Sequence, residues 1–515
     1  MTVSNDPRCE VVRWDASDAG PGVRRRAVTL MVGTALSMAV FLWWLLQPGR
    51  AGNPVLFGVL IAAEAFNMLL AVGFWWTCLR RPPVRRPAPY DPRIAVDVLI
   101  PTYNEPAEIV RATVAAAARL VGLDIRVALL DDGSRDEMSE LAAEFGIRCI
   151  RRPHHVGAKA GNINHALTIT GAPFILILDC DHVPRPDMVR RMLAGFDSDS
   201  VALVQTPQYY ANARTNRIAG AAWGQQALFF GAIARGKDAH GAMFCCGTNV
   251  MIRRAPLEAV GGFPETSLTE DFTLSVMLQE RGWHTRYLPE VLASGLGPED
   301  LASYVSQQRR WARGCIGTIP RIVSARLPIR LKVQYLLSAT YFLTGWTTAV
   351  YLLMPIAYLF LGFQPLDPVG VQTFLLAFTP YIVLSLATVA TLGAGSYTFA
   401  AYSLAVSTFW IHLGATLRLF FRGQGRFVVT PKRGSSRRQW RPAMPTLVVI
   451  AALIGATMFG LARSIDPGTL NNAAFALMHV AILTSGIAVA IVPNLAVNAR
   501  PKEAIGEDAD QPSRV

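Results

Sequence analysis

Four short constellations in the 515-residue chain carry side chains that could do chemistry. At FILILDCDH, Asp179 and Asp181 stand one residue apart at the end of an apolar run. Carboxylates that close repel unless a cation lies between them, and hard oxygens suit Mg²⁺ or Mn²⁺, which would also hold phosphates. The same acids could instead cap the next helix. Asp131-Asp132-Gly133-Ser134 ends a second apolar run, where acid-acid-glycine-serine is also an ordinary turn. Thr269-Glu270-Asp271 opens an amphipathic segment, either as a Thr269-capped helix start or as the seat of a general base at Asp271. A base there needs burial or a neighbouring acid to offset the helix dipole, which lowers a carboxyl pKa. In Gln307-Gln308-Arg309-Arg310-Trp311, helical spacing puts Gln307, Arg310 and Trp311 on one face. An amide, a planar cation and an aromatic ring could grip sugar and phosphate; the alternative is a membrane-surface helix with arginines at the headgroups.

The elements that must position these residues alternate. Strands are predicted at 96–101, 125–132, 147–152 and 174–181, with helices starting near Glu105, Arg135, Lys159 and Pro186. That pattern implies a parallel α/β sheet, with ligands gathering at the carboxyl ends of its strands. Around this polar stretch the chain is apolar: 52% hydrophobic and 17% charged, with a mean hydropathy of +0.31. Such a composition excludes disorder and argues for a membrane protein. Seven cysteines with no CxxC pair argue against a disulfide framework or zinc site.

Uncharged windows long enough to span a bilayer fall at 27–46, at 54–79 with only Glu64, and then at 333–363, 369–417, 443–462 and 473–497. Topology follows from charge. The stretches 24–26, 80–93 and 418–441 hold 16 Lys and Arg against one acid, Asp91, whereas 363–370 and 464–471 hold no base. The basic stretches are therefore expected in the cytoplasm, which requires an even number of spans before 418–441 and lays 397–421 along the interface. The expected organisation is an N-terminal tail with two transmembrane helices (1–93), a cytoplasmic α/β domain (94–298), and interfacial helices (299–332). Two spans (333–392), an interfacial helix and loop (393–442), two more spans (443–497) and a short cytoplasmic tail (498–515) follow. A net charge of +13 then reads as membrane-facing basic clusters on a nearly neutral protein, and nucleic acid is not an expected partner.

Taken in order, IPTYNEP, DDGS, HVGAKAGNINHAL, DCDH, QTPQYY, FCCGTN, LTED, QQRRWARG and FVVTPK resemble the processive family 2 glycosyltransferases of the bacterial cellulose synthase type, over roughly residues 94–440. The resemblance implies an α/β GT-A nucleotide-sugar transferase domain inserted in a multi-span α-helical membrane domain. It implies that Tyr103, Glu105 and Asp132 contact uridine, that Lys159 lies near the diphosphate, and that Asp179 and Asp181 form the metal-diphosphate site with Mg²⁺ or Mn²⁺. Asp271 matches the catalytic base, and Gln307, Arg310 and Trp311 the face for diphosphate and the terminal sugar. Phe244, Cys246, Gly247 and Thr248 resemble the acceptor-side motif, and Phe427, Val429, Thr430 and Lys432 the FxVTxK gating loop.

The implied activity is inverting, processive synthesis and translocation of a β-linked glycan, cellulose or a similar β-glucan, from a UDP-sugar at the plasma membrane. The expected partners are the UDP-sugar, the growing glycan, the bilayer and an accessory export subunit. Mannan, curdlan, hyaluronan or chitin synthesis and transfer of a single sugar to a lipid are the enzymatic alternatives. A transporter with a nucleotide-binding domain is the non-enzymatic one, although the chain has no Walker-type motif. About 18 residues follow the last span, so no PilZ domain is expected there. His154, His155 and His182 lack metal-ligand spacing and are read as structural, as is Glu64.

Overall fold

The computed structural model describes residues 21–367, 370–422 and 440–491, apart from 84, 86, 88 and 92. Two apolar helices come first, α1 (Pro21–Leu45) and α2 (Pro54–Leu79). Asn53 caps α2 by accepting from the backbone N–H of Val55 and Leu56, both at 3.1 Å. Alternating elements follow: β1 (Ala95–Thr102), α3 (Ala107–Ala117), β2 (Asp124–Asp131), α4 (Asp136–Glu144), β3 (Arg148–Ile150), α5 (Ala158–Leu167) and β4 (Phe174–Ile177). The domain continues through β5 (Val183–Pro184), α6 (Met188–Leu193), β6 (Val201–Gln205), β7 (Tyr209–Tyr210), α7 (Arg217–Leu228) and α8 (Ala234–Ala239). Next come β8 (Val250–Arg253), α9 (Arg254–Ala259), α10 (Glu270–Glu280), β9 (His284–Tyr287) and β10 (Ala293–Gly295).

Seven strands form one sheet in the order β3-β2-β1-β4-β8-β6-β9. The first four are parallel; β8 runs antiparallel to both β4 and β6, and β9 is parallel to β6. A small sheet, β5-β10-β7, lies apart from it. Strand β1 is apolar almost throughout because both of its faces are covered. Val96, Val98 and Ile100 pack with Val110, Met138 and Met192 on one side, while Leu99 packs with Ile163, Leu274 and Leu278 on the other.

Two strands stop earlier than their apolar runs predict. β4 ends at Ile177 rather than 181, because the Asp179 N–H donates to Thr248 Oγ1 (2.7 Å) and leaves the ladder. β3 ends at Ile150 rather than 152, where Arg151 and Arg152 turn toward Asp131 and Asp132.

Beyond the domain lie α11 (Leu301–Gly317), α12 (Ile319–Ser324), α13 (Ile329–Thr340), α14 (Thr344–Leu361), α15 (Val371–Leu392), α16 (Phe399–Ser407), α17 (Trp410–Arg422), α18 (Trp440–Arg463) and α19 (Pro467–Ile491). A 3₁₀ turn joins α13 to α14. Among the described residues, six stretches are long and apolar enough to cross a bilayer: α1, α2, α13–α14, α15, α18 and α19. Helix α1 packs on α15, α14 on α2, and α18 on α19. Residues 397–421 form two helices rather than the single one expected, α16 against α19 and α17 against α11. The gating-loop residues Phe427, Val429, Thr430 and Lys432, like residues 1–20 and 498–515, lie outside the described residues.

A polar tie joins the two ends of the inserted domain to the bundle. Gln334 of α13 donates from Nε2 to Thr77 Oγ1 of α2 (3.0 Å), and buried Lys237 of α8 donates to the Gln334 carbonyl (2.7 Å). Gly236 lets α8 approach this closely, since a Cβ there would sit 2.1 Å from the Thr77 carbonyl oxygen.

Candidate active site

The sequence-predicted residues gather at the ends of β1, β2 and β4 and on the turns before α10 and within α11. At the exit of β1, Glu105 Oε2 accepts from the Tyr103 N–H (2.8 Å) and Thr102 Oγ1 (3.0 Å), which fixes the turn and leaves the Tyr103 ring exposed. The exit of β2 lies directly against it. The Asp132 N–H donates to the Thr102 carbonyl (2.9 Å), and a Cβ on Gly133 would fall 2.2 Å from the Tyr103 carbonyl oxygen. Only glycine fits there.

The two acids of this turn divide its roles. Buried Asp131 accepts from the Gly133 N–H (3.2 Å), the Arg135 N–H (2.7 Å) and Arg151 Nε (3.1 Å), the ordinary-turn role. Asp132 receives a two-pronged pair from Arg152 (2.6 and 2.8 Å) and lies 2.9 Å from His155 Nδ1. Burial acts to raise its pKa, but Arg152 and His155 prevail and hold it below the usual carboxylate range.

The turn after β4 holds the second cluster. Ligand atoms of Asp179, Asp181 and His182 lie within 4.8 Å of one another. His182 Nδ1 is 3.1 Å from Asp181 Oδ1, and its buried Nε2 has no hydrogen-bond partner. Gly295 of β10 packs on the ring, so that a Cβ there would come within 2.5 Å of it. Two carboxylates and an imidazole with a spare nitrogen fit a divalent ion such as Mn²⁺ or Mg²⁺. The sequence reading took His182 as structural, and the structure places it beside the two acids. Its adjacency to DCD was the available signal.

Lys159, in the first turn of α5, joins the cluster to the acceptor-side motif. Its Nζ donates to Asp179 Oδ1 and to the Gly247 carbonyl (2.7 Å). Burial would raise the Asp179 pKa, yet Lys159 and His182 draw it below the usual value. Gly247 adopts φ +80°, and a Cβ there would lie 2.8 Å from Asp271 Oδ2 and 3.7 Å from Lys159 Nζ. The motif thus places bare backbone against Asp271.

Gln205, which the sequence reading left without a role, stitches this loop together. Its side chain accepts from the Cys246 N–H (2.8 Å) and donates to the carbonyls of Thr206 and Thr248, both at 2.8 Å. Gln208 donates to the Cys246 carbonyl (3.0 Å). Phe244 lies one step outward, edge-on to Phe272 (4.8 Å between centroids) and tilted toward Tyr335 (6.4 Å).

Asp271 sits in the first turn of α10. Thr269 occupies the N-cap position but makes no capping hydrogen bond, so the cap reading fails for its side chain. Burial, then the Glu270 charge, push the Asp271 pKa up to about 7, against the Phe272 N–H (2.8 Å), Lys159 and Arg310. Both offsets that a base at a helix start requires are present.

Helix α11 abuts this turn, because Gly314 packs on Thr269 with only 2.3 Å available to a Cβ. Along it the three predicted residues fan out. Arg310 acts on Asp271 electrostatically, Gln307 Nε2 reaches Tyr210 Oη at 3.5 Å, and Trp311 packs against a cluster holding Phe342 and Ala415.

Residues 174–411 match the family model "Glycosyl transferase family group 2", and the sheet with its flanking helices is a GT-A fold. A mannosyltransferase from Pyrobaculum calidifontis, solved with GDP-Man and Mn²⁺, shares that fold (TM-score 0.54, 17% identity, covering 72% of this chain and all of the other). Residues 174–411 thus match a family 2 glycosyltransferase domain, and the six apolar stretches fit a membrane protein. Its relatives include the cellulose synthase 1 catalytic subunit [UDP-forming] of Komagataeibacter xylinus, 34% identical over 442 residues, 81% of this chain and 58% of that one. The cellulose synthase catalytic subunit [UDP-forming] of Xanthomonas axonopodis pv. citri is 38% identical over 328 residues, 60% of this chain and 44% of the relative. The chain therefore spans about half the length of these curated relatives.

Proposed function

We propose that this protein is an inverting, processive glycosyltransferase that extends a β-linked glucan of cellulose type from UDP-glucose and passes it through its own membrane helices. The observation that carries the reading is the meeting of three motifs at Lys159: the DCD turn, the backbone of Gly247, and Asp271 beside it. A donor diphosphate and an acceptor hydroxyl would meet there.

In this reading, Tyr103, Glu105 and Asp132 border the nucleoside pocket, and Lys159 with Arg310 orients the diphosphate. Asp179, Asp181 and His182 would hold the divalent ion, which neutralises charge on the departing diphosphate. Ionised Asp271 takes the proton of the acceptor hydroxyl as that oxygen bonds to the anomeric carbon from the side opposite the diphosphate. The carbon–oxygen bond to UDP breaks, UDP leaves with the electron pair, and an α-linked donor gives a β-linked product. The bare backbone at Gly247 leaves room for the acceptor sugar, with Phe244, Cys246 and Thr248 shaping its seat. Gln307 and Trp311 extend that seat, and Phe427, Val429, Thr430 and Lys432 serve as the gate.

The exit path is supported by a cavity of about 520 Å³ among the apolar helices, lined by Phe41, Glu64, Tyr351, Phe374, Tyr381 and His479 among others. Aromatic faces with scattered polar groups suit a sugar chain. The domain then faces the cytoplasm of the plasma membrane, as its basic flanks require, and an accessory subunit receives the glycan outside. The test is purified protein in proteoliposomes, supplied separately with UDP-glucose, UDP-N-acetylglucosamine, UDP-glucuronate and GDP-mannose. Polymer from UDP-glucose that a β-1,4-glucanase degrades is the expected result; polymer from another donor alone, or none from any, overturns it.

A further inference from the structure

Helix α11 carries a second polar face. At about 100° per residue, Arg309 and Arg313 stand one above the other on the side away from Gln307, Arg310 and Gly314, the side that meets the Thr269 turn. They look instead toward α17, which packs along α11. The Arg309 guanidinium lies over the Trp410 ring at 5.9 Å, and Trp410 Nε1 donates to Thr446 Oγ1 (3.2 Å), tying the junction to α18. Arg418, two turns further along α17, adds a third guanidinium. Burial and then the Arg418 charge hold both Arg309 and Arg313 below the usual arginine range.

Apart from the Trp410 ring beneath Arg309, no described group answers these three cations. Among the described residues none donates a hydrogen bond or forms an ion pair, and Arg313 Nε is buried without a partner. The sequence holds no acid between Asp300 and Asp367, nor between Asp367 and Asp466, so neither helix nor the stretch after α17 can supply one. Glu270 and Asp271 act on Lys159 and Arg310 instead. Arg309 and Arg313 are half-buried and Arg418 is exposed beside them, and like charges gathered at such a seam cost free energy that an anion would relieve.

We propose that the α11–α17 junction is a binding site for a phosphate-bearing anion, held by Arg309, Arg313 and Arg418 and separate from the site of sugar transfer. Planar guanidinium forks match the oxygens of a phosphate group. The junction sits where α11 leads through α12 into the third apolar stretch and Trp410 of α17 bonds α18, beside helices long and apolar enough to cross a bilayer. A phospholipid phosphate and a soluble phosphate offer the same chemistry.

The full chain would be placed in nanodiscs of phosphatidylcholine, with or without phosphatidylglycerol, and its unfolding temperature and retained lipid measured, the latter by native mass spectrometry. The wild type is expected to unfold at higher temperature and retain phosphatidylglycerol. Each Arg→Gln change at 309, 313 or 418 weakens retention by roughly fivefold, and the triple variant abolishes the gain. Inorganic phosphate added to phosphatidylcholine discs is the second arm. An equal gain there assigns the site to a soluble phosphate, and none assigns it to the headgroup. Arg418→Gln, an exposed position, decides the matter should the triple variant not fold. Identical responses of wild type and Arg418→Gln in both arms overturn the proposal. No readout requires sugar transfer, so this result is independent of the proposed activity.

Discussion

The turn after β4 and the turn before α10 each bring an acid pair to Lys159, yet they leave their carboxyl groups in opposite conditions. Asp179 bonds Lys159 directly, and that cation is the main influence that overcomes burial and holds its pKa below the usual value. Asp271 feels Lys159 without bonding it, is buried, and has Glu270 as its neighbour, so its pKa rises to about 7. Sequence pattern alone would treat DCD and TED as two of a kind. Contact with the shared cation separates an anion suited to hold charge from a base suited to exchange a proton.

The sharpest way to break this contrast is to neutralise each acid in turn. Asp271→Asn should lower transfer from UDP-glucose on the order of 10²–10⁴-fold while leaving Mn²⁺ binding, followed by electron paramagnetic resonance, at the wild-type level. Undiminished transfer would remove Asp271 from the role of base. Asp181→Asn should weaken Mn²⁺ binding at least about tenfold, with lost activity partly restored by excess metal; unchanged Mn²⁺ affinity would dissolve the cluster's assignment.

The smallest effect concerns pH. Activity should climb between about pH 6 and 8 as Asp271 loses its proton near 7. Glu270→Gln removes a neighbour that raises this pKa and should move the acid limb to lower pH. Lys159→Met removes a charge that lowers it and should move the limb to higher pH, each by about one unit or less. Shifts in the same direction would refute the shared electrostatics. Stability follows the same sign. A carboxyl whose folded pKa lies above its unfolded value favours the folded state fully below about 3.8 and loses that contribution as pH rises through about 7. Asp271→Asn should therefore flatten thermal stability across that window.

Much of the fold was legible because β4, most of β1 and the second half of β2 are buried, which favours apolar runs, and because acids and glycines mark their ends. Where those runs stop was not. Arg151 and Thr248 end the strands through partners far along the chain, at Asp131 and Asp179. The site's acids were legible for their types and spacing, whereas His182 and Gln205 were not. A histidine with one neighbour in contact looks like any other, and a glutamine at a strand end shows nothing of the three residues it binds across the loop. The break between α16 and α17 was equally hidden in uniformly apolar sequence.

The tie of Thr77 to Gln334 also sets a schedule for synthesis. Its partners lie 257 residues apart, so at roughly 5–20 residues per second the ribosome needs about 13–50 s to deliver the second after the first. For that interval α2 carries a polar group whose final partner does not yet exist, and the whole transferase domain has time to fold before its two ends are fastened.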